Sequence, residues 1–304
     1  MATPGRGVPI NTPIGATDGC IAAIPAVAVR DCGRQSAVDV MALVRTIQAT
    51  DGLTLDIDPS HIYYIGQSFG ATYGTTLLAT EPGVRAAVLS GAGGTSVDVA
   101  RLAISGRLLA EGYLASQGLL NGGNDNFNDS YPLRDAPVVQ PVPGATAAQA
   151  AFEAANWLGM LGDPLSFAPH LSSPTLFQFG VGDLEVPNPT ESAVIRAAGA
   201  AKNAWLLRFD LVAPLYPELG VLTMPGAAPL PILPHRILSN PTIFSDPAEQ
   251  SLSLAVQQQA RDFLATDGKS KTDPNNLLPN GFVPNNVKVF EIPKSLPETL
   301  NYPF

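Results

Sequence analysis

Residues 63–74 read YYIGQSFGATYG and place Ser68 between two glycines in the pattern G-x-S-x-G. A serine becomes nucleophilic at neutral pH when an adjacent base takes its proton and an acid holds that base in the correct tautomer. The pattern alone is weak evidence, because glycine and serine are common residues. The elements around Ser68 must therefore decide between a nucleophile and a plain turn between a strand and a helix.

The residues on both sides of Ser68 predict a strand, a helix and a second strand. HIYYIG is rich in β-branched and aromatic residues, SFGATYGTTLLATEP predicts a helix closed by Pro82, and VRAAVLSG is again apolar. Three such elements within about 30 residues are typical of a parallel βαβ unit. Ser68 is expected at the point where the first strand passes into the helix.

A candidate acid follows another predicted strand, PTLFQFGVGD, at residues 174–183. Functional side chains converge at the carboxyl ends of parallel strands, so Asp183 can meet Ser68 there. Two alternatives remain: Asp183 is only a loop residue or a helix cap, or Glu185 serves as the acid.

The candidate base is one of three histidines. His61 and His170 each precede a predicted strand and should lie at the opposite edge of the sheet. His235 remains, although it could be an ordinary surface histidine flanked by prolines. The chain order serine, aspartate, histidine and a final helix is that of the α/β-hydrolase fold.

The glycines of the motif have a predicted structural role. Gly66 and Gly70 leave room for the helix and the strand to approach closely while the serine adopts a strained backbone conformation. The backbone N–H of Phe69, directly after the nucleophile, is the expected oxyanion donor. A bulky residue at either glycine should damage folding and activity together.

The 304 residues, 45% of them hydrophobic, predict a single domain over residues 1–304. Residues 95–173 are predicted to form a cap insertion, and residues 269–304 an extended tail. Residues 1–33 are predicted as loop and residues 204–212 as a strand. A helix is predicted from Arg34 with one buried stripe, and the last helix begins at a capping Asp246 and ends near Gly268. The stripe consists of Val38, Met41, Val44 and Ile47.

Composition excludes some classes of partner. A net charge of −9 without a basic run argues against nucleic acid. No apolar run is long enough to span a membrane, and the first residues do not have the pattern of a signal peptide. No cofactor or metal is expected: the spacing of Cys20 and Cys32 matches no zinc site, and whether they pair stays open.

Two smaller groups of residues leave alternatives open. A polar loop could bind calcium but reads better as solvated, because it lacks EF-hand spacing. Three large side chains of the cap could line an acyl pocket, although packing within the cap is the preferred interpretation. The loop residues are Asn124, Asp125 and Asp129, and the cap residues are Phe152, Trp157 and Met160.

Six segments together resemble the secreted bacterial α/β-hydrolase serine esterases related to the virulence-factor lipases. They are RDCGRQSAVDVMALVRTI, DPSHIYYIGQSFGATYGT, NWLGMLGDPLSFAPHL, LPHRIL, AVQQQARDFLATDG and LPETLNY. The resemblance implies a mostly parallel sheet flanked by helices, hydrolysis of small-molecule or lipid esters by Ser68 with Asp183 and His235, and export to the cell envelope or beyond.

The chain departs from that family in front of Ser68. Only 67 residues precede the serine, and they contain no histidine-glycine loop to supply a second oxyanion N–H. The sequence therefore resembles a hydrolase with a reduced N-terminal half, for which we expect either weak activity or a homodimer across a bare sheet edge. Peptidase or acyltransferase activity is a lesser alternative. The alternative from a different class is a catalytically dead scaffold that binds a ligand or a partner.

Overall fold

The structure is a computed structural model that describes most of the chain. The described residues are 26–50, 57–103, 106, 112, 114, 118, 145–216, 219, 221–222, 230–231, 233–238, 246–284 and 287–300. The polar loop predicted around Asn124, Asp125 and Asp129 lies outside them.

The described residues form a sheet of five strands: β1 (Tyr63–Gln67), β2 (Ala86–Ser90), β3 (Thr175–Gly180), β4 (Ala204–Leu207) and β7 (Phe290–Glu291). They lie in the order β1-β2-β3-β4-β7. The first four strands are parallel, and β7 pairs antiparallel with β4. Two further short strands, β5 (Val221–Leu222) and β6 (Leu230–Pro231), pair only with each other. The predicted α/β class with a mostly parallel sheet is confirmed.

Nine α-helices are described, and the longer ones flank the sheet. They are α1 (Ala26–Ala49), α2 (Phe69–Thr80), α3 (Ser96–Leu102), α4 (Ala145–Gly159), α5 (Pro164–Phe167), α6 (Asn188–Ala197), α7 (Phe209–Val212), α8 (Leu233–Arg236) and α9 (Pro247–Ala265). Short 3₁₀ turns cover Met160–Gly162, Ala168–His170, Ala201–Asn203 and Pro274–Leu277.

The central strands are apolar because both faces of the sheet are covered. Every residue of β2, β3 and β4 is buried. Alternate side chains enter two clusters: Val88 and Leu176 pack in the cluster that includes α9, whereas Leu89 and Phe177 pack in the cluster that includes α2 and α6. The strands of a parallel sheet that is covered on both faces have continuous apolar runs in their sequences.

The register of the strands brings their carboxyl ends together. Gln67 of β1 lies beside Ser90 of β2, and Ser90 lies beside Gln178 of β3. Residues that directly follow β1, β2 and β3 are therefore neighbours along one edge of the sheet.

Helix α1 differs from its prediction. It begins at Ala26 rather than after residue 33, and Val38, predicted to be buried, is 53% exposed. The buried positions are Gly33, Ala37 and Val44, which recur at intervals of four and seven residues. A Cβ atom on Gly33 would lie only 3.0 Å from the Tyr73 ring, so α1 packs on α2 through its smallest side chains.

The predicted strand at 204–212 is wrong in its second half. β4 ends at Leu207, and Phe209–Val212 forms a helical turn. The Arg208 guanidinium pairs with the Asp210 carboxylate at 2.6 Å while Phe209 and Val212 are buried. The tail contains a strand, β7, that the sequence analysis had predicted only as extended chain.

The cap interval is described in part. Phe152 is buried on α4 beneath the Arg101 guanidinium, 5.3 Å from its ring centroid, as the packing interpretation predicts. Trp157 and Met160 are 73% and 53% exposed, so packing within the cap is wrong for these two residues.

The described residues contain no helix that combines the length and the apolarity needed to cross a membrane. At one edge of the described sheet, β1 is the last strand, and its Ile65 side chain is 54% exposed.

The start of α9 follows its prediction. Asp246 lies at the N-cap, and its Oδ1 accepts hydrogen bonds from the N–H groups of Ala248 at 2.6 Å and Glu249 at 3.3 Å. The helix ends at Ala265, and Gly268, with φ +78°, donates its N–H back to Phe263.

We predict that Asp246→Ala lowers the free energy of unfolding by about 1 kcal/mol, because two N–H groups of α9 lose their acceptor. Chemical denaturation measures this change. Asp246→Asn keeps a side-chain oxygen and should recover most of the loss; an alanine variant as stable as the unmodified protein would contradict the prediction.

Candidate active site

Ser68 lies between β1 and α2 in a backbone conformation that non-glycine residues rarely adopt. Its φ is 56° and its ψ is −122°, and its N–H donates to the Ser90 carbonyl at 2.9 Å. A serine at this helix position usually caps the first turn with its side chain, but the Ser68 side chain makes no capping bond. Its Oγ instead lies within hydrogen-bonding distance of His235.

The close approach of β1 and α2 depends on Gly66. A Cβ atom at Gly66 would lie 2.4 Å from the Gly70 carbonyl oxygen. The Tyr64 hydroxyl donates to that same oxygen at 2.6 Å and ties the first turn of the helix to the strand. Gly70 itself is different, since its own Cβ would meet only the Tyr64 hydroxyl at 4.0 Å. The prediction that both glycines leave necessary room is therefore wrong for Gly70.

His235 reaches Ser68 from the short helix α8. Its Nε2 lies 2.9 Å from Ser68 Oγ. The Gln67 side chain donates through Nε2 to the His235 carbonyl at 2.9 Å. Gly91, with φ +67°, follows β2 and lies under the imidazole, where a Cβ would be 3.6 Å from the ring. These contacts fix both the backbone and the ring of His235.

Asp183 follows β3 and completes the row of hydrogen-bonded side chains. Its Oδ2 lies 2.9 Å from His235 Nδ1, and its Oδ1 accepts the N–H groups of Glu185 and Val186, each at 2.8 Å. The carboxylate has no solvent exposure. Glu185, the alternative acid, contributes a backbone donor to Asp183.

The hydrogen-bond distances between Ser68, His235 and Asp183 determine which atom donates and which accepts in each pair. Ionised Asp183 can only accept, so Nδ1 of His235 donates to it, and Nε2 is left to accept the Ser68 hydroxyl proton. A base that can take that proton is what a serine nucleophile requires. The arrangement can therefore perform nucleophilic substitution at a carbonyl.

Two opposing effects act on His235. Burial, the larger single effect, lowers the pKa of His235, and the neighbouring Asp183 carboxylate raises it. Together with a further contribution from Glu185, the carboxylate outweighs burial, and the pKa of His235 lies above its usual value of 6.5. The surroundings of His235 therefore favour its protonated, imidazolium form.

The other two histidines lie away from this row. His61 precedes β1 and its Nδ1 is 2.5 Å from the Asp58 carboxylate. His170 is exposed at the end of a 3₁₀ turn before β3. Both lie at the entry of a strand, as the sequence analysis predicted.

Phe69, the predicted oxyanion donor, is the first residue of α2. The N–H groups of a first turn have no partner within the helix, so the oxyanion role of the Phe69 N–H is compatible with this position and stays a prediction. The Phe69 side chain is 45% exposed and stacks on Tyr73 with ring centroids 5.8 Å apart.

Two residues that contact His235, and two that lie behind Asp183, were not identified from the sequence. Gln67 occupies a variable position of the motif, but its place next to the serine could have marked it. Gly91 stands directly after a predicted strand, which is a recognisable signal for a special turn. Asn188 and Glu191, described further below, gave no signal, because a polar residue near a helix start usually caps it.

Cys32 is disulfide-bonded. The other cysteine of the sequence, Cys20, lies outside the described residues. Within the described part of the chain, no group of three or more His, Cys, Asp or Glu side chains could hold a metal ion.

Comparison with known proteins adds no assignment. No family model matches the chain, and no curated protein matches it significantly.

We predict that Gly66→Ala destabilises the protein by about 1–3 kcal/mol, because the added methyl group must push α2 away from β1. Gly70→Ala is the matched control. It adds a methyl group to open space in a helix and should change stability by less than about 1 kcal/mol. Chemical denaturation of both variants measures the difference, and equal stability of the two would contradict the packing argument.

Proposed function

We propose that the protein is a serine carboxylic ester hydrolase acting on small-molecule or lipid esters with short to medium acyl chains. One observation carries the proposal: Ser68, His235 and Asp183 form a continuous hydrogen-bonded row with two distances of 2.9 Å. Ser68 and His235 lie 167 positions apart in the sequence, and His235 and Asp183 lie 52 apart, so only the fold brings these three side chains into one row. A substituted carbonyl is the electrophile for which such a row is suited.

The reaction follows from these contacts. Ser68 Oγ attacks the ester carbonyl as His235 Nε2 accepts its proton, and Asp183 stabilises the imidazolium. The Phe69 N–H donates to the oxyanion. His235 then gives the proton to the leaving alkoxide, so that an alcohol departs and an acyl-enzyme remains on Ser68. Water, deprotonated by His235, attacks that acyl group and releases the acid and Ser68.

The α/β-hydrolase fold is part of this proposal. The parallel strands, the strained turn that holds Ser68, the order serine, aspartate, histidine and the final helix α9 support it. Export of the protein is also proposed, on the family resemblance and the disulfide at Cys32, since disulfides persist in oxidising compartments.

Two predictions about the front of the protein stay predictions. The first is weak activity, expected because the residues before Ser68 contain no histidine-glycine loop to donate a second N–H to the oxyanion. A homodimer through β1 is proposed from the position of that strand at the edge of the described sheet and from the exposed Ile65. Its test is the mass of the protein in solution.

We predict that a fluorophosphonate probe labels Ser68 of the purified protein, because the probe needs a serine with a working base. Peptide mapping by mass spectrometry locates the label. Ser68→Ala should abolish labelling, and His235→Ala should slow it by at least about a hundredfold. A folded protein that takes no label would favour the dead-scaffold alternative over the enzyme.

We predict that ester hydrolysis is lost as the pH falls, because protonated His235 cannot accept the Ser68 proton. Since the pKa of His235 is raised, the midpoint of this loss should lie above pH 6.5. The pH dependence of kcat/KM measures it, with circular dichroism at each pH to exclude unfolding. A constant rate between about pH 5 and pH 8 would contradict the role of His235.

A further inference from the structure

A second carboxyl group is buried behind the hydrogen-bonded row. Glu191 lies in the first turn of α6 and its side chain has no solvent exposure. Its Oε2 accepts a hydrogen bond from Asn188 Nδ2 at 2.8 Å, and its Oε1 has no partner among the described residues. A buried carboxylate with one neutral donor is poorly stabilised.

Asn188 connects Glu191 to the loop that carries Asp183. Its Oδ1 accepts the Gly182 N–H at 2.9 Å, and its Nδ2 also donates to the Gly180 carbonyl at 2.7 Å. One side chain therefore holds the end of β3 and the residue before Asp183, where Gly182 has φ +82°. The Glu191 oxygen is a third contact that, with these two backbone contacts, fixes the orientation of the Asn188 amide.

Among the residues that the structure describes, the charged groups around Glu191 do not include a partner cation. Asp183 is the charged neighbour that acts on it, and His235 pairs with Asp183. On α6 itself, Arg196 pairs with Glu298 at the surface. From the elements packed against α6, Asp163 accepts N–H groups of Ser96 and Leu165, His170 is exposed, and β3 has no titratable side chain.

The two neighbouring carboxyl groups therefore accept very different numbers of hydrogen bonds from the protein. Asp183 accepts two backbone N–H groups and the His235 imidazole, whereas Glu191 accepts one amide hydrogen bond. Burial, and then the charge of Asp183, raise the pKa of Glu191 well above its usual value. Adjacent carboxyl groups whose surroundings differ in this way divide the charge between them unequally.

We propose that Glu191 is a positioning residue that keeps its proton while Asp183 is ionised, and that through Asn188 it holds the loop that aims Asp183 at His235. The catalytic part of this inference rests on the proposed esterase function. The protonation of Glu191 does not, and it can be measured without any substrate.

The first test is the thermal stability of Glu191→Gln against pH. At a pH between its unfolded and folded pKa, Glu191 is protonated in the folded protein and loses its proton on unfolding. The free energy of unfolding of the unmodified protein therefore falls as the pH rises towards the folded pKa of Glu191. Glutamine is a neutral isostere without that loss. The Tm of the variant should exceed that of the unmodified protein at pH 8, and the difference should shrink towards the ordinary glutamate pKa of 4.5.

The matched control is Glu153→Gln, the same change at an exposed position of α4. It should not produce a difference in Tm that grows with pH. A Glu191→Gln variant that is less stable than the unmodified protein at pH 8, or whose difference does not depend on pH, would overturn the protonated state.

The second test is kinetic and uses an ester substrate. Glu191→Gln should keep kcat within threefold and leave the acidic midpoint of kcat/KM unchanged, because no charge is removed. If Glu191 were ionised in the working enzyme, the same substitution would lower the pKa of His235 and move that midpoint to lower pH. Such a movement would overturn the inference.

The positioning role is tested by removing either the Glu191 oxygen that accepts from Asn188 or the Asn188 side chain itself. Glu191→Leu and Asn188→Ala should each lower kcat at least tenfold with KM within twofold, and near-UV circular dichroism checks that each variant is folded. Full activity in either folded variant would overturn the positioning role. If the unmodified protein hydrolyses no ester, the proposed function fails, while the stability measurements still decide the protonation of Glu191.

Discussion

The contact between β1 and α2 at Gly66 is the constraint on which the candidate site depends. A 2.4 Å separation between a Cβ at that position and the Gly70 oxygen leaves no space for any side chain. Because the strand and the helix meet so closely, the chain must turn sharply between them, and Ser68 takes up the unfavourable backbone conformation. That conformation costs about 1–3 kcal/mol, which the packing around it must offset.

The sheet brings the residues around this turn together. Parallel strands in register end at the same edge, so the residues after β1, β2 and β3 become neighbours although they are far apart in sequence. Ser68, Gly91 and Asp183 follow these three strands in turn. His235 does not follow a strand of this sheet; hydrogen bonding from Gln67 and packing over Gly91 hold it in place.

Electrostatics at the site depends on how unequally hydrogen-bond donors are distributed. Two backbone N–H groups point at Asp183, while its neighbour Glu191 receives one side-chain amide. The Asp183 carboxylate, with a smaller contribution from Glu185, outweighs the effect of burial on the pKa of His235. A second full charge behind it would repel Asp183 across a medium of low dielectric constant.

The sequence by itself determined the α/β class, the strands around Ser68, the cap of α9 and the choice of Ser68, Asp183 and His235 as the residues to examine. These features depend on local patterns: apolar runs, helix caps and positions at strand ends. Only the tertiary structure decided that Val38 and Trp157 are exposed, that Gly70 has space, that the segment after β4 is helical and that Glu191 lies behind Asp183. Each of these depends on which distant element packs against the residue, and periodicity within one segment carries no information about its partner.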